Sequence, residues 1–411
     1  MKTRAGNREA SARHVIDWHN PDFYSATALY EAMERAFEIR HGCRRCASLC
    51  QSFPTLFDLV DAAASLAVGS VAKADYGKVV DHFSLCGLCF MSKCPYATPH
   101  DWVLDFPHSM LRAKAVRFRK GEVKWRSKVL TDSDSVGRFL GVPIVAQTVN
   151  ATSRPSLARE VLQAVAGIHA KAGLPRLESK PMRKRLSGHQ SQCTGKPAGR
   201  TRGKVALFAT CYMNRNEPPG RARIFSPCSN TAATPCSYPR RSVVAACPGS
   251  SSAIWRASRP PRKPISRCWR SWSTPAALVP SCVLMLRQEL PLLVADDPDV
   301  QKVQAVFFDS FEYLMLRHKE GKLRADFKQP LGKVAYYAAC HQRVQHIGQR
   351  TKKALSLVPA TAVELIERCS GHDGSDAVKK EFREFAMKIV KPVIARVKQA
   401  EADHYGSDQA L

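Results

Sequence analysis

Long apolar runs are missing from this chain of 411 residues. We find no stretch of about 18 consecutive apolar residues, the minimum for a membrane-crossing helix. Residues 1–13 are polar and charged and lack the apolar centre of a secretory signal. We therefore expect a cytoplasmic protein without a transmembrane helix. A G-x-G-x-x-G fingerprint is also missing, so we do not expect the chain to hold a flavin of its own.

Acidic residues are missing from two long stretches. Residues 218–276 contain ten Lys or Arg and residues 179–204 contain eight, and neither stretch has an Asp or Glu. The formal charge of +28 is concentrated there. Such a charge suggests a nucleic-acid partner when it follows one face of the molecule. Because the excess lies in two unusual stretches instead, we expect no nucleic-acid binding.

The composition of residues 218–276 is typical of a gene segment translated out of frame. It is rich in Arg, Ser and Pro and has no apolar periodicity. We read the codons that could encode this stretch in a shifted frame, in which the third base of each codon is joined to the first two bases of the next. In that frame, codons for Val243–Pro248 can encode the peptide CCGMP. We infer a frameshift near 218–221 that is reversed near Ala276, and we expect disorder or poor packing between them. Four cysteines there are then chance residues: Cys228, Cys236, Cys247 and Cys268.

Cysteine, in contrast, is plentiful, with 15 residues. Without an export signal we do not expect a disulfide framework, and clustered cysteines then indicate metal binding or redox chemistry. Six of them form two runs in the N-terminal part of the chain: Cys43, Cys46 and Cys50, then Cys86, Cys89 and Cys94.

Both runs resemble the bacterial ferredoxin run C-x2-C-x2-C-x3-C-P, in which closely spaced thiolates hold iron–sulfur clusters. The first expected cysteine of each run is replaced, by Arg40 and by Phe83. If the last cysteine of each run crosses over, the resemblance implies two ligand sets, Cys43, Cys46, Cys94 and Cys50, Cys86, Cys89. We expect two [4Fe–4S] clusters, or [3Fe–4S] clusters where only three thiolates remain. Failed assembly, structural zinc and inert cysteines stay open as alternatives.

Four short apolar segments predict buried strands that each end at a cysteine, namely Cys211, Cys282, Cys340 and Cys369. Ligands of open α/β sheets bind at the carboxyl ends of the strands. The repetition therefore predicts a duplicated α/β module that presents cysteines at its functional edge. Apolar residues at helical spacing predict a C-terminal helix within Lys379–Ala400.

This arrangement resembles the CCG-domain iron–sulfur oxidoreductases, the family of heterodisulfide reductase and of the C subunit of anaerobic glycerol-3-phosphate dehydrogenase. The segment Cys369–Gly371 resembles the second CCG motif, with Ser370 in place of the second cysteine. The resemblance implies catalytic roles for Cys340 and Cys369, and it adds four metal-ligand candidates: Cys211, Cys282, Cys340 and Cys369. It also implies a flavoprotein dehydrogenase or a rubrerythrin-like protein as redox partner, and it leaves peripheral membrane association open.

We therefore expect an α/β protein of four parts. An α-helical, two-cluster ferredoxin-like domain covers residues 1–125, and a linker or helical segment covers 126–203. The first CCG module covers 204–300, and the second module with the C-terminal helix covers 301–411. The expected function is electron transfer to a disulfide, quinone or protein acceptor. A non-functional frameshifted relic and a zinc-stabilised basic nucleic-acid-binding protein are the alternatives.

Overall fold

A computed structural model describes most of residues 13–408 of the chain. Within that range the residues outside the description are 85, 92–93, 132–138, 140–142, 153–155, 186–195, 198, 200–203, 209, 217–231, 237–274, 278 and 373–375.

The N-terminal part is helical. Five helices follow one another: α1 (Ala26–Cys43), α2 (Ser52–Asp61), α3 (Tyr76–Asp81), α4 (Leu88–Met91) and α5 (Phe106–Arg119). The Ser25 hydroxyl caps α1 by accepting a hydrogen bond from the Ala28 N–H at 3.4 Å. The helix ends where Arg44 adopts the left-handed conformation, with φ of 52°. This turn places the first cysteine run between α1 and α2.

Four helices lead from this part to the first sheet: α6 (Trp125–Thr131), α7 (Pro143–Thr152), α8 (Ser156–Ala166) and α9 (Met182–Arg185). The buried Arg159 of α8 anchors the chain that follows, because its guanidinium donates hydrogen bonds to the carbonyl oxygens of Ala170 at 2.8 Å and His169 at 3.1 Å. The described part of 126–203 therefore combines helices with an irregular stretch over residues 167–181.

A parallel sheet of four strands follows, in the spatial order β2-β1-β3-β4. Its strands are β1 (Lys204–Phe208), β2 (Ala232–Cys236), β3 (Pro275–Ala277) and β4 (Phe308–Asp309). The helical segments α10 (Cys211–Arg215), α11 (Pro280–Leu284), α12 (Leu290–Leu293) and α13 (Pro298–Val306) accompany it, with a π-helical turn at Met285–Glu289.

We expected disorder or poor packing within 218–276, of which the structure describes residues 232–236 and 275–276. Residues 232–236 form β2, which pairs in parallel with β1 from Lys204 opposite Ala232 to Phe208 opposite Cys236, so this short piece is not disordered. Pro235 lacks an N–H, and it is tolerated because β2 is an edge strand. We also expected Cys282 at a strand end. The strand ends at Ala277, and Pro280 begins α11, so Cys282 lies on a helix.

A second parallel sheet lies in the C-terminal part, in the order β6-β5-β7. Its strands are β5 (Gly332–Tyr337), β6 (Thr361–Ile366) and β7 (His404–Ser407). The helices of this part of the chain are α14 (Ser310–Lys319), which packs Tyr313 against the first sheet, and α15 (Cys340–Arg343), α16 (Arg350–Leu355) and α17 (Arg383–Gln399). The strands expected before Cys340 and Cys369 and the C-terminal helix are confirmed, and the mixed α/β class with small parallel sheets is confirmed with them.

One apolar core joins the helical part to the first sheet region. It extends from Trp18 through Phe53 and Phe106 and continues into Leu286 and Phe307. The indole of Trp18 donates a hydrogen bond across this junction to the Leu293 carbonyl oxygen at 2.7 Å. The cysteine runs therefore lie inside a core that the two parts share. No helix in the described part of the chain is both long and apolar enough to cross a membrane.

Candidate metal centre

The first cysteine run occupies the turn between α1 and α2. Cys43 is the last residue of α1 and is half-buried, whereas Cys46 and Cys50 are buried. Burial raises the pKa of the Cys50 thiol to about 12, and the neighbouring Cys46 thiol adds to that rise against three backbone hydrogen bonds that lower it. Cys50 is therefore a neutral thiol at neutral pH unless a cation binds to it.

The second run meets the first in the same core. Gly87, with φ of 76°, makes the turn between Cys86 and the helix that carries Cys89. The Cys46 Sγ lies 4.0 Å from the carbonyl oxygen of Cys89. Burial raises the pKa of Cys89 well above its usual value, and the thiols of Cys86, Cys50 and Cys46 raise it further. Thiols from two runs about 40 positions apart are thus electrostatic neighbours.

Cys43 and Cys94 form the other side of this group. Both thiols act on Tyr96, whose pKa is raised first by burial and then by the nearby Cys43, with a smaller effect of Cys94. The two runs meet around Cys46 and Cys89, because Cys46 is an electrostatic neighbour of both Cys50 and Cys89.

Arg40 lies where a ferredoxin run has a cysteine, and its side chain enters the thiol group. It is only 2% exposed, and its Nη1 donates a hydrogen bond to Cys46 Sγ at 3.4 Å. Burial disfavours its charge, but the thiols of Cys89, Cys94 and Cys46 outweigh that effect and raise its pKa. Its Nε and Nη2 atoms are buried and have no hydrogen-bond partner among the described residues.

Phe83, at the other replaced position, belongs to the hydrophobic core. Its ring centroid lies 5.2 Å from that of Phe106 and 6.5 Å from that of Phe53, both in edge-on packing. Its carbonyl oxygen accepts a hydrogen bond from Lys114 Nζ at 2.9 Å. A phenyl ring has no donor atom for a metal, so this position offers no fourth ligand beside the second cysteine run.

The fit of this site to an iron–sulfur group rests on its donor chemistry. Within the described residues, no three Cys, His, Asp or Glu side chains converge on a point that could hold a metal ion. None of the nine described cysteines is in a disulfide. The donors are nevertheless thiols in a dry core, the ligands that iron–sulfur clusters require. The two unpaired N–H donors of Arg40 fit an anionic group, and a thiolate-bound cluster is anionic.

A second pair of thiols lies at the carboxyl edge of the C-terminal sheet. Tyr337 ends β5 opposite Ile366, which ends β6. Cys340 and Cys369 follow these two residues at the same offset along the chain. A hydrogen bond with Cys369 is the main cause that lowers the Cys340 pKa, and the Tyr337 hydroxyl contributes. Cys340 is 6% exposed, whereas Cys369 is only partly buried, so solvent reaches the pair at Cys369.

The two thiol regions are contiguous. Cys86 packs in one apolar cluster with Cys340 and Cys369, together with Leu88 and Val344. The charge of Cys86 also contributes to the raised pKa of Cys369. The second cysteine run and the C-terminal thiol pair therefore border the same apolar cluster, and Cys86 is an electrostatic neighbour of Cys369.

For Cys282 and Cys211, the structure gives the position in the fold but less detail of the surroundings. Cys282 lies on α11, which is fixed to the helix of Cys340 by a hydrogen bond from Gln345 Nε2 to the Pro280 carbonyl oxygen at 3.0 Å. Cys211 begins α10, where Thr210 Oγ1 accepts a hydrogen bond from the Met213 N–H at 3.2 Å. The side chain of Cys211 is outside the described part of the chain.

A buried ionic network beside the thiols was not foreseen from the sequence. Glu289 forms ion pairs with Arg13 and with His108, whose Nε2 lies 2.9 Å from Glu289 Oε2. Burial disfavours the Glu289 charge, yet Arg13 and His108 hold its pKa at about 2. Arg13 also lies near Cys89 and over the ring of Phe90, at 4.7 Å from its centroid. These residues are separated by up to 276 positions, and no local motif marks them.

Comparisons with known proteins do not assign the chain to a family. No protein-family model matches it, and neither the curated proteins nor the solved structures contain a match.

Proposed function

We propose that the chain is an iron–sulfur electron-transfer subunit of an oxidoreductase. The observation that carries this proposal is the group of six buried or half-buried thiols from two runs around one core, together with the buried Arg40, whose Nε and Nη2 have no hydrogen-bond partner among the described residues. Their ligands would be the two sets that the resemblance implies, Cys43, Cys46, Cys94 and Cys50, Cys86, Cys89. Two clusters of the [4Fe–4S] or [3Fe–4S] type are proposed.

The chain's own residues supply the conditions for such a group. An iron–sulfur cluster, when bound, supplies reversible one-electron transfer. The thiols must lose their protons to bind iron, and burial raises the pKa of Cys50 and Cys89. Loading therefore releases protons and is favoured by higher pH. The surrounding rings of Phe53 and Phe106, both fully buried, exclude water from the site.

We place the acceptor end of the subunit at the C-terminal thiols. Cys340 and Cys369 are the proposed catalytic residues, and their contact with Cys86 supports a link to the N-terminal site. Cys211 and Cys282 remain metal-ligand candidates at this end. In this proposal the fold is a ferredoxin-like helical domain over 1–125, followed by two CCG modules over 204–300 and 301–411.

The proposed partners follow from the resemblance to CCG-domain oxidoreductases. A flavoprotein dehydrogenase or a rubrerythrin-like protein would donate or take electrons, with a disulfide, quinone or protein as acceptor. We propose that the subunit works in the cytoplasm, where thiolate-bound clusters are kept reduced.

A relic without function is the second candidate. It is favoured by the way in which Arg40 and Phe83 fill the two positions where ligands are expected, and by the composition of 218–276. A relic predicts protein that binds no iron even when iron and sulfide are supplied under reducing conditions.

Single-cysteine variants test the proposed function. In the full chain, reconstituted anaerobically with iron and sulfide, we expect Cys50→Ser and Cys89→Ser each to lose about half of the bound iron, because each removes a thiolate from a three-thiolate set. Cys193→Ser, outside both runs, is the matched control and keeps the wild-type iron content. Equal iron content in all four proteins would contradict the proposal.

A further inference from the structure

Among the described residues, no carboxylate balances the buried cation of Arg40. Its Nη1 donates a hydrogen bond to Cys46 Sγ, and its charge is favoured by the thiols of Cys89, Cys94 and Cys46, with a hydrogen-bonding contact to Cys94 among the causes. Buried charges in proteins are normally paired with an opposite charge or bound to an ion. The Nε and Nη2 donors, which are buried and have no hydrogen-bond partner in the part of the chain that the structure describes, therefore mark a place for an anion.

The guanidinium is held in position by aromatic rings. Its central carbon lies 5.3 Å from the centroid of Phe106 and 5.9 Å from that of Phe53, the range in which a cation is attracted to a ring face. Arg40 is also fixed within α1, three residues before Cys43. The side chain is thus pre-positioned among the thiols.

An arginine at this position cannot replace the missing cysteine as a ligand. The guanidinium has five N–H donors and no acceptor, and it stays protonated in proteins. It can donate hydrogen bonds to sulfur atoms and balance negative charge, but it cannot coordinate iron.

We propose that Arg40 completes the first cysteine set from outside the ligand shell, by donating hydrogen bonds to the sulfur atoms of an anionic iron–sulfur group held by Cys43, Cys46 and Cys94. This inference rests on the proposed function. It assigns the group to the three-iron type, because the residue at the position of the fourth ligand is an arginine, which cannot bind iron. It also makes the reduction potential of the site higher, since hydrogen bonds and positive charge favour the reduced, more negative form.

The test compares variants of Arg40 in the full chain after anaerobic reconstitution with iron and sulfide. Arg40→Cys supplies a thiol and is expected to bind about one iron atom more per chain, with loss of the paramagnetic signal of an oxidised three-iron cluster. Arg40→Met removes the charge at similar length and is expected to lower the reduction potential of the site. Arg40→Lys keeps the charge and is expected to fall between Arg40→Met and the wild type.

Arg44→Met is the matched control, because Arg44 lies in the same run but is half-exposed and pairs with Asp61 at 3.5 Å. It should leave both the signal and the potential unchanged. If the wild type binds iron but Arg40→Cys and Arg40→Met match it in signal and potential, the role of Arg40 is overturned and the proposed function stands. If the wild type binds no iron or sulfide, both are overturned. If Arg40→Met does not fold, the reduction potential of Arg40→Lys, which preserves the buried charge, is compared with that of the wild type instead.

Discussion

The hydroxyl of Tyr336 donates a hydrogen bond to Asp408 Oδ2 at 2.5 Å, which ties the central strand of the C-terminal sheet to the residue after β7. Thr351 and Gln342 donate to the same carboxylate oxygen, at 2.5 and 2.7 Å. Burial raises the pKa of Asp309 to about 7, and the charge of Asp408 adds to this rise. Two carboxyl groups therefore share this interior.

The buried carboxyl group of Asp309 predicts a loss of stability as the pH rises. Its folded-state pKa is raised, so its contribution is complete below pH 3.8 and is lost as the pH rises to about 7. The upper bound is roughly 4 kcal/mol at 1.36 kcal/mol per unit. Asp309→Asn keeps an N-cap for α14 and removes the titration. We expect urea unfolding to show that this variant gains stability over the wild type between pH 4 and pH 8.

The control for this prediction is Asp297→Asn, which changes the capping residue of α13 outside the network. It should shift stability by a constant amount across the same pH range. A parallel pH profile for Asp309→Asn and the wild type would contradict the proposed titration. Asp408→Asn should flatten the profile as well, because it removes the neighbouring charge.

The ion pairs of Glu289 predict the opposite pH dependence: the protein should lose stability as the pH falls. Its folded-state pKa is lowered from 4.5 to about 2, so its contribution is complete above pH 4.5 and is lost as the pH falls towards 2. We expect Glu289→Gln to lower the free energy of unfolding by about 3 kcal/mol at pH 7, since it leaves the buried Arg13 charge without its main partner. Urea unfolding at pH 7 and pH 4 measures the effect, which should be smaller at pH 4.

Asp81→Asn is the matched control for the loss of an ion pair. Asp81 pairs with Arg117 at 2.6 Å, but both side chains are more than a third exposed, and an exposed pair contributes less than about 1 kcal/mol. Equal destabilisation by Glu289→Gln and Asp81→Asn would contradict the assignment of the buried network.

Gly371 controls the position of Cys369. It has φ of 65°, and an added Cβ would lie 2.5 Å from the Ala386 carbonyl oxygen. We expect Gly371→Ala to destabilise the fold by roughly 3 kcal/mol, from backbone strain and from the forced shift of α17. Gly348→Ala is the control, because Gly348 has φ of 73° and open space around its Cα. Backbone strain alone should lower the free energy of unfolding of Gly348→Ala by about 1 kcal/mol. Thermal unfolding compares the two, and similar losses would contradict the close contact.

The strands before the cysteines could be predicted from the sequence because their signal is local. Apolar runs that end shortly before Cys211, Cys340 and Cys369 are sufficient to mark β1, β5 and β6. The strand expected before Cys282 was displaced, because Pro280 favours the first turn of a helix over a strand. The edge strand β2 was missed because its sequence, with Pro235, has little strand character and depends on pairing with β1.

The site itself could be predicted only in part. The spacing within each cysteine run is local, but the contact of Cys86 with Cys340 and Cys369 arises from tertiary packing of distant segments. Arg40 was recognised only as a replaced ligand, and its burial among three thiols depends on how α1 and α2 pack. The network of Arg13 and Glu289 has no sequence signal, since its members are brought together only by the shared core.

The most direct test of the account is the iron and acid-labile sulfide content of the full-length chain after anaerobic reconstitution and removal of unbound metal. The account predicts about six to eight iron atoms and about eight acid-labile sulfides per chain, with visible absorbance that is bleached by reduction. A colourless, folded protein without iron and sulfide would contradict it.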